Sequence, residues 1–234
     1  MTSLANRIAL ITGASRGIGA AVAKRFAAEG AHVILAARTV GGLEATDDAI
    51  QAAGGASTLV PVDLTDFTKI DQLGAHIAER FGRLDILVGN AATLGELTPL
   101  AHADPKVWNK VISTNVTANW RLIRSFDPLL QTSNAGRAIF VTSGAASKAI
   151  PYWGPYAVSK AALEMLVKTY AAEMAGTNVR VNLVDPGVVR TGMRALAMPG
   201  EDPQTLPAPD TVTDAFVRLA SAECNANGEI IKVR

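Results

Sequence analysis

Tyr156 and Lys160 stand four residues apart in the segment Tyr-Ala-Val-Ser-Lys, and Ser143 lies thirteen residues upstream of the tyrosine. On a helix that spacing puts the phenol and the ammonium on one face, one turn apart. A phenol of ordinary pKa near 10 is a poor proton donor or acceptor at neutral pH, and an adjacent cation stabilises its phenolate. The pair is equipped for general acid/base work. Ser143 follows Ala138–Thr142, an apolar run that reads as a strand. From the C-terminal end of that strand it can hydrogen-bond an oxygen whose charge changes during reaction. The same residues also suit plain packing, with Tyr156 a helix-face aromatic and Lys160 a surface cation lying along apolar neighbours.

A second constellation, Thr12-Gly-Ala-Ser-Arg-Gly-Ile-Gly19, follows the first apolar run and leads into Ala20-Ala-Val-Ala-Lys-Arg-Phe26, which reads as a helix. Gly13 and Gly17 permit a tight turn and close approach of a phosphate. Gly19 lets the helix lie near the strand, and the helix N-terminus directs free N–H groups at an anion. Ser15, Arg16 and Ile18 complete this candidate dinucleotide site, although glycines at a β–α turn are often only structural. The second apolar run ends Ala37-Arg38-Thr39, with no acidic residue to bond the ribose hydroxyls of NAD. Arg38 and Arg16 can instead fork onto a 2′-phosphate, which favours NADP(H) by a few kcal/mol at the scale of charge-assisted hydrogen bonds.

Parallel strands covered on both faces would place such residues along one edge. Seven short apolar runs fit that role: Arg7–Thr12, His32–Ala37, Thr58–Val62, Leu84–Gly89, Ala138–Thr142, Val179–Val184 and Glu229–Val233. Most are separated by segments long enough for right-handed helical crossovers. The expected architecture is a doubly wound α/β fold with a seven-stranded parallel sheet. A length of 234 residues and the absence of a linker composition favour one domain over residues 1–234, residues 1–140 mainly binding cofactor and residues 141–234 carrying the catalytic group.

Composition narrows the function classes. With 49% hydrophobic and 18% charged residues and a net charge of +1, the chain lacks the apolar span of a membrane protein and the field of a nucleic-acid binder. Neither partner is expected. His32, His76 and His102 share no metal-ligand spacing, and Cys224 stands alone, so no metal site is expected. The opening Met1–Arg7 has no signal-like apolar core, which points to a reducing, cytoplasmic setting. Tyr156–Met174 is apolar round most of its circumference and Val116–Leu130 is similar, which favours a homodimer or homotetramer through these two helices.

Taken in order, these motifs resemble the short-chain dehydrogenase/reductase family, a Rossmann-fold family, over essentially the whole chain. Asp63-Leu64 is similar to its adenine-contacting pair, Asn90-Ala91-Ala92 to its Asn-Ala-Gly, and Asn115 to its helix asparagine. Pro186-Gly187-Val188-Val189-Arg190-Thr191 resembles the loop that holds the nicotinamide carboxamide. The resemblance implies that Tyr156 protonates a carbonyl oxygen that Ser143 orients. Lys160 would bind the nicotinamide ribose, and Asn115 would support a water-linked proton relay. Ala92, where glycine is usual, adds one methyl group. The Pro186–Pro209 segment is similar to the YciK-like bacterial branch, and its residues from Gly187 onward would form a substrate lid. Met193, Leu196 and Met198 would face the ligand, opposite Leu94, Ala145, Ile150 and Trp153. The expected activity is reversible hydride transfer between NADPH and a small to medium apolar ketone or aldehyde. Reduction of a 3-oxoacyl thioester and a dinucleotide-sensing role without catalysis are the alternatives.

Overall fold

All seven apolar runs become strands, each within two residues of its expected bounds; the inner ones are buried almost throughout, while the two at the sheet edges, Ala56–Pro61 and Ile230–Lys232, are only partly covered. The computed structural model describes residues 3–233. The strands are β1 (Ile8–Thr12), β2 (His32–Ala37), β3 (Ala56–Pro61), β4 (Ile86–Gly89), β5 (Arg137–Val141), β6 (Arg180–Asp185) and β7 (Ile230–Lys232). They form one parallel sheet in the order β3-β2-β1-β4-β5-β6-β7. This is the Rossmann-type doubly wound arrangement, and the chain changes direction across the sheet between β1 and β4.

Alternation along the strands divides the core in two. Leu10 of β1 joins Phe126, Phe140 and Leu163 on one face, whereas Ala9 and Ile11 join Phe26 and Phe216 on the other. The first face is covered by α3 (Phe67–Phe81), α5 (Ala118–Thr132) and α6 (Gly154–Glu173). The second is covered by α1 (Gly17–Ala28), α2 (Val40–Ala52) and α8 (Thr213–Ala220), while α4 (Pro105–Ile112) packs on α6, and α7 (Gly192–Ala197) sets Met193 and Ala197 against Tyr156. Helix α1 starts at Gly17, three residues before the expected start at Ala20. Ahead of α5, residues Ser113–Thr117 form one π-helical turn.

Because every pairing is parallel, the segments after β1 to β6 emerge at one edge, and that edge collects Gly13, Arg38, Asp63, Asn90, Ser143 and Asp185. At the opposite end, buried Arg137 donates to the carbonyls of Gly136, Asn178, Ser221, Ala222 and Cys224, so its charge is spent on tying loops together. Helix α6 hides Leu163, Val167, Tyr170 and Ala171 but leaves Val158 and Met165 exposed, and α5 exposes Trp120. Among the described residues no helix is long and apolar enough to cross a membrane.

Candidate active site

The glycine turn is held rigidly at the β1–β4 junction. Thr12 Oγ1 donates to the Val88 carbonyl at 3.1 Å and accepts from the N–H groups of Asn90 at 2.9 Å and Ala91 at 3.1 Å. Asn90 Nδ2 donates to the Thr12 carbonyl at 2.9 Å, so this expected cofactor residue also clamps the turn. A Cβ on Gly19 would lie 2.3 Å from the Gly13 carbonyl oxygen, which only glycine avoids. Arg16 stands at the N-terminus of α1 in an extended conformation and makes no side-chain cap. The first N–H groups of α1 therefore have no side chain bonded to them and face the edge where an anion can take them.

Two further expected cofactor segments meet this turn. Thr46 Oγ1 donates to the Ala14 carbonyl at 3.1 Å, and Gly42 packs so tightly on Ser15 that a Cβ there would lie 2.8 Å from its oxygen. Helix α2 is thereby seated on Ala14 and Ser15, with Arg38 and Thr39 just ahead of its first turn. Arg38 Nη1 lies 4.0 Å from Asp63 Oδ2, both groups being well exposed, so the pairing is weak. The Asp63 carboxyl is held below the usual range chiefly by the Thr65 N–H. Leu64 is buried beside it. On the other bank, a Cβ on Gly17 would lie 3.5 Å from Thr191 Cγ2, which sets the Pro186–Thr191 loop against the glycine turn. Val189 anchors that loop in the core, and Gly187 turns it with φ +68°. The uncapped helix, the two exposed arginines and the small-residue approach fit a phosphorylated dinucleotide along this edge.

Ser143 follows β5, and its Oγ accepts from the Ala145 N–H at 3.3 Å. Tyr156, in the first turn of α6, is 7% exposed. Burial pushes its phenol up to about 12, a hydrogen bond with Ser143 pulls it down, and the Asp185 carboxylate pushes it further up. Lys160 is 2% exposed; its Nζ donates to the Val141 carbonyl at 2.7 Å and lies 5.7 Å from the centroid of the Tyr156 ring. Burial pulls the ammonium down to about 8, against the attraction of Glu164. This corrects one expectation. In this geometry desolvation governs the phenol, which keeps its proton, because the ammonium directs its hydrogen bond at a main-chain carbonyl.

Asn115 sits fully buried in the π turn. Its Oδ1 accepts from the Thr93 N–H, and its Nδ2 donates to the Thr93 carbonyl and to Ser159 Oγ, each at 2.9 Å. The side chain thus joins the loop after β4 to α6 next to Lys160, and the Asn115 carbonyl accepts from Asn119 Nδ2 at 2.8 Å.

The expected substrate wall is brought together in part. Leu94, Ala145, Tyr156 and Ala197 form a buried cluster against which Trp153, Ala157 and Met193 pack. Leu196 does not face it: the residue is 76% exposed, and Ile150 and Met198, outside the cluster, are each 38% exposed. On α7, Met193 and Ala197 reach the Tyr156 cluster, and the way this short helix docks leaves Leu196, three residues after Met193, in solvent. The segment expected to form the lid is clasped by Arg194, whose Nε and Nη2 reach the two Glu201 oxygens at 2.5 and 2.7 Å.

Comparison with known proteins fits this geometry. The family model for short chain dehydrogenases matches residues 7–202. The chain belongs to the short-chain dehydrogenase family of oxidoreductases. The uncharacterized oxidoreductase YciK of Escherichia coli is 37% identical over 219 residues, covering 92% of this chain and 86% of that one. A short chain dehydrogenase from Shigella flexneri complexed with NADP superposes with TM-score 0.94 at 34% identity, over 99% of each chain. One from E. coli CFT073 complexed with NADPH gives TM-score 0.92 at 35% identity, over 99% of this chain and 98% of that one.

Sequence reasoning passed over several residues. Glu164 carried a signal, standing four residues beyond Lys160, and Thr12 adjoins the first glycine. Val141 and Thr93 act through main-chain groups, which no side-chain pattern marks. Asp185 meets Tyr156 only through the sheet order.

Proposed function

We propose that this protein is an NADP(H)-dependent carbonyl reductase that takes a small to medium apolar ketone or aldehyde to the alcohol and runs the reverse reaction on the same site. The observation that carries the reading is a buried Tyr156, its proton held by burial, set beside Ser143 and walled by Leu94, Ala145, Trp153 and Met193. When bound, the dinucleotide supplies the hydride. Tyr156 donates its proton to the substrate oxygen as charge builds there, and Ser143 holds that oxygen by a hydrogen bond. Lys160 stabilises the phenolate left behind and reaches the ribose hydroxyls. Asn115 fixes the π turn beside Lys160 and belongs to the water-linked path that returns the proton.

For the cofactor we assign Gly13, Ser15, Gly17, Ile18 and Gly19 to the phosphates, and Arg16, Arg38 and Thr39 to the 2′-phosphate end. Asp63, Leu64, Asn90 and Ala91 then line the adenine and central parts, and Pro186, Gly187, Val189 and Thr191 the nicotinamide. The NADP and NADPH complexes of the two structural relatives support this choice. In the lid, Arg194 is neutralised by Glu201, which argues against an anionic carrier as substrate. Exposed Trp120, Val158 and Met165 support a homodimer or homotetramer through α5 and α6, and the composition supports one cytoplasmic domain. NADPH oxidation followed against ketones, aldehydes, quinones and 3-oxoacyl thioesters, with NADH as control, tests the proposal. Turnover of apolar ketones or aldehydes with NADPH is the expected outcome, and turnover of none of them would end it.

A further inference from the structure

We propose that Glu164 is a positioning residue for catalysis: anchored by Thr142 one helical turn beyond Lys160, its carboxylate is the counter-charge to the buried ammonium beside Tyr156. The inference rests on the reading of Tyr156 and Lys160 given above. Two successive residues at the end of β5 grip two successive turns of α6. The Val141 carbonyl accepts from Lys160 Nζ at 2.7 Å, and the Thr142 hydroxyl donates to Glu164 Oε1 at 2.7 Å. Residues alternate across a strand, so Thr142 shares the α6 side of the sheet with Phe140. Thr142 is itself buried and tied to β6, its N–H donating to the Val184 carbonyl at 2.9 Å. Glu164 is therefore fixed one turn beyond Lys160 on the same helix face.

A buried ammonium with one carbonyl partner needs a counter-charge. The ionisable groups one turn either side of Lys160 on α6 are Tyr156 and Glu164; Asp185 lies at the end of β6 near Tyr156, and the π turn contributes the uncharged Asn115. Asp185 acts on the phenol, and Glu164 is the carboxylate that acts on the ammonium. Even with that attraction Lys160 is drawn down to about 8, so little margin separates it from loss of its charge under working conditions. Without Glu164 the margin shrinks.

Glu164→Gln keeps an acceptor for Thr142 and removes only the charge. The alkaline limb of the pH profile for carbonyl reduction is expected to move down by about one unit, the scale of a nearby opposite charge. A second readout needs no turnover. The folded pKa of Lys160 lies below its unfolded value of about 10.4, so the unfolded chain binds more protons between the two and stability rises with pH in that window. In Glu164→Gln the rise in melting temperature is expected to begin at lower pH, and Lys160→Met is expected to abolish the difference. Thr142→Val, which frees the carboxylate without removing its charge, is expected to give a smaller displacement in the same direction; it serves as the test if Glu164→Gln does not fold. Curves that superimpose on wild type in both readouts would overturn the inference. Failure of the wild type to reduce any carbonyl compound would instead count against the proposed function, and the melting curves would still decide the role of Glu164.

Discussion

Lys160 Nζ lies 5.7 Å from the centroid of the Tyr156 ring while its hydrogen bond goes to the Val141 carbonyl at 2.7 Å. The phenol, pushed up to about 12, and the ammonium, pulled down to about 8, are thus both displaced by burial. Their order follows from the same cause, since desolvation disfavours each charged form. The proposed reduction needs both protons in place. As pH rises through about 8, Lys160 loses its charge first, so kcat/KM for reduction is expected to fall on the alkaline side with that midpoint. The residual activity of Lys160→Met is expected to lack this limb.

Arg38 is exposed, and Asp63 at 4.0 Å holds it only weakly, which leaves its guanidinium free for a phosphate. Arg38→Asp replaces attraction with repulsion. The Michaelis constant for NADPH is expected to rise by about 10- to 100-fold, the scale of about 1.5–3 kcal/mol for a charged hydrogen bond, with a much smaller change for NADH. Equal changes for the two cofactors would remove Arg38 from the phosphate site.

Gly19 admits no side chain, because a Cβ would meet the Gly13 carbonyl oxygen at 2.3 Å. Gly19→Ala is expected to push α1 from β1, cost about 1–3 kcal/mol by overpacking, and weaken nucleotide binding. Thermal unfolding and a fluorescence titration with NADPH check both effects. A variant as stable as wild type that binds as tightly would show that the turn tolerates a shift.

Asn115 satisfies the N–H and carbonyl of Thr93 and the hydroxyl of Ser159. Asn115→Ala leaves these groups without that partner, at about 1–3 kcal/mol for each one that stays buried and unpaired. Urea denaturation is expected to give a lower midpoint, with a loss of activity that exceeds the loss in stability if the π turn also carries the proton path.

The inner strands were readable from the sequence because burial on both faces leaves an unbroken apolar signature, and the parallel order then brings Gly13, Ser143 and Pro186 to one edge. The catalytic spacing was readable because an i, i+4 pair can lie only on one helix face. Three features were not. Leu196 and Ile150 are apolar yet exposed; for Leu196 the reason is that how α7 docks decides which of its residues face Tyr156, and Ile150 lies in the loop ahead of α6, which carries no period. The π turn at Asn115 has no composition of its own, being set by bonds to Thr93 and Ser159 from other segments. The displaced ionisations of Tyr156 and Lys160 arise from burial, which spacing alone does not report.

The most direct test of the central claim is Tyr156→Phe, assayed for NADPH oxidation with an apolar ketone and for NADPH binding by fluorescence. Removing one hydroxyl takes away the proton donor and leaves the ring in its cluster with Leu94 and Ala145. Turnover is expected to fall by about 10²- to 10⁴-fold, the contribution of a positioned general acid, with the dissociation constant for NADPH little changed. Undiminished turnover in that variant would contradict the account.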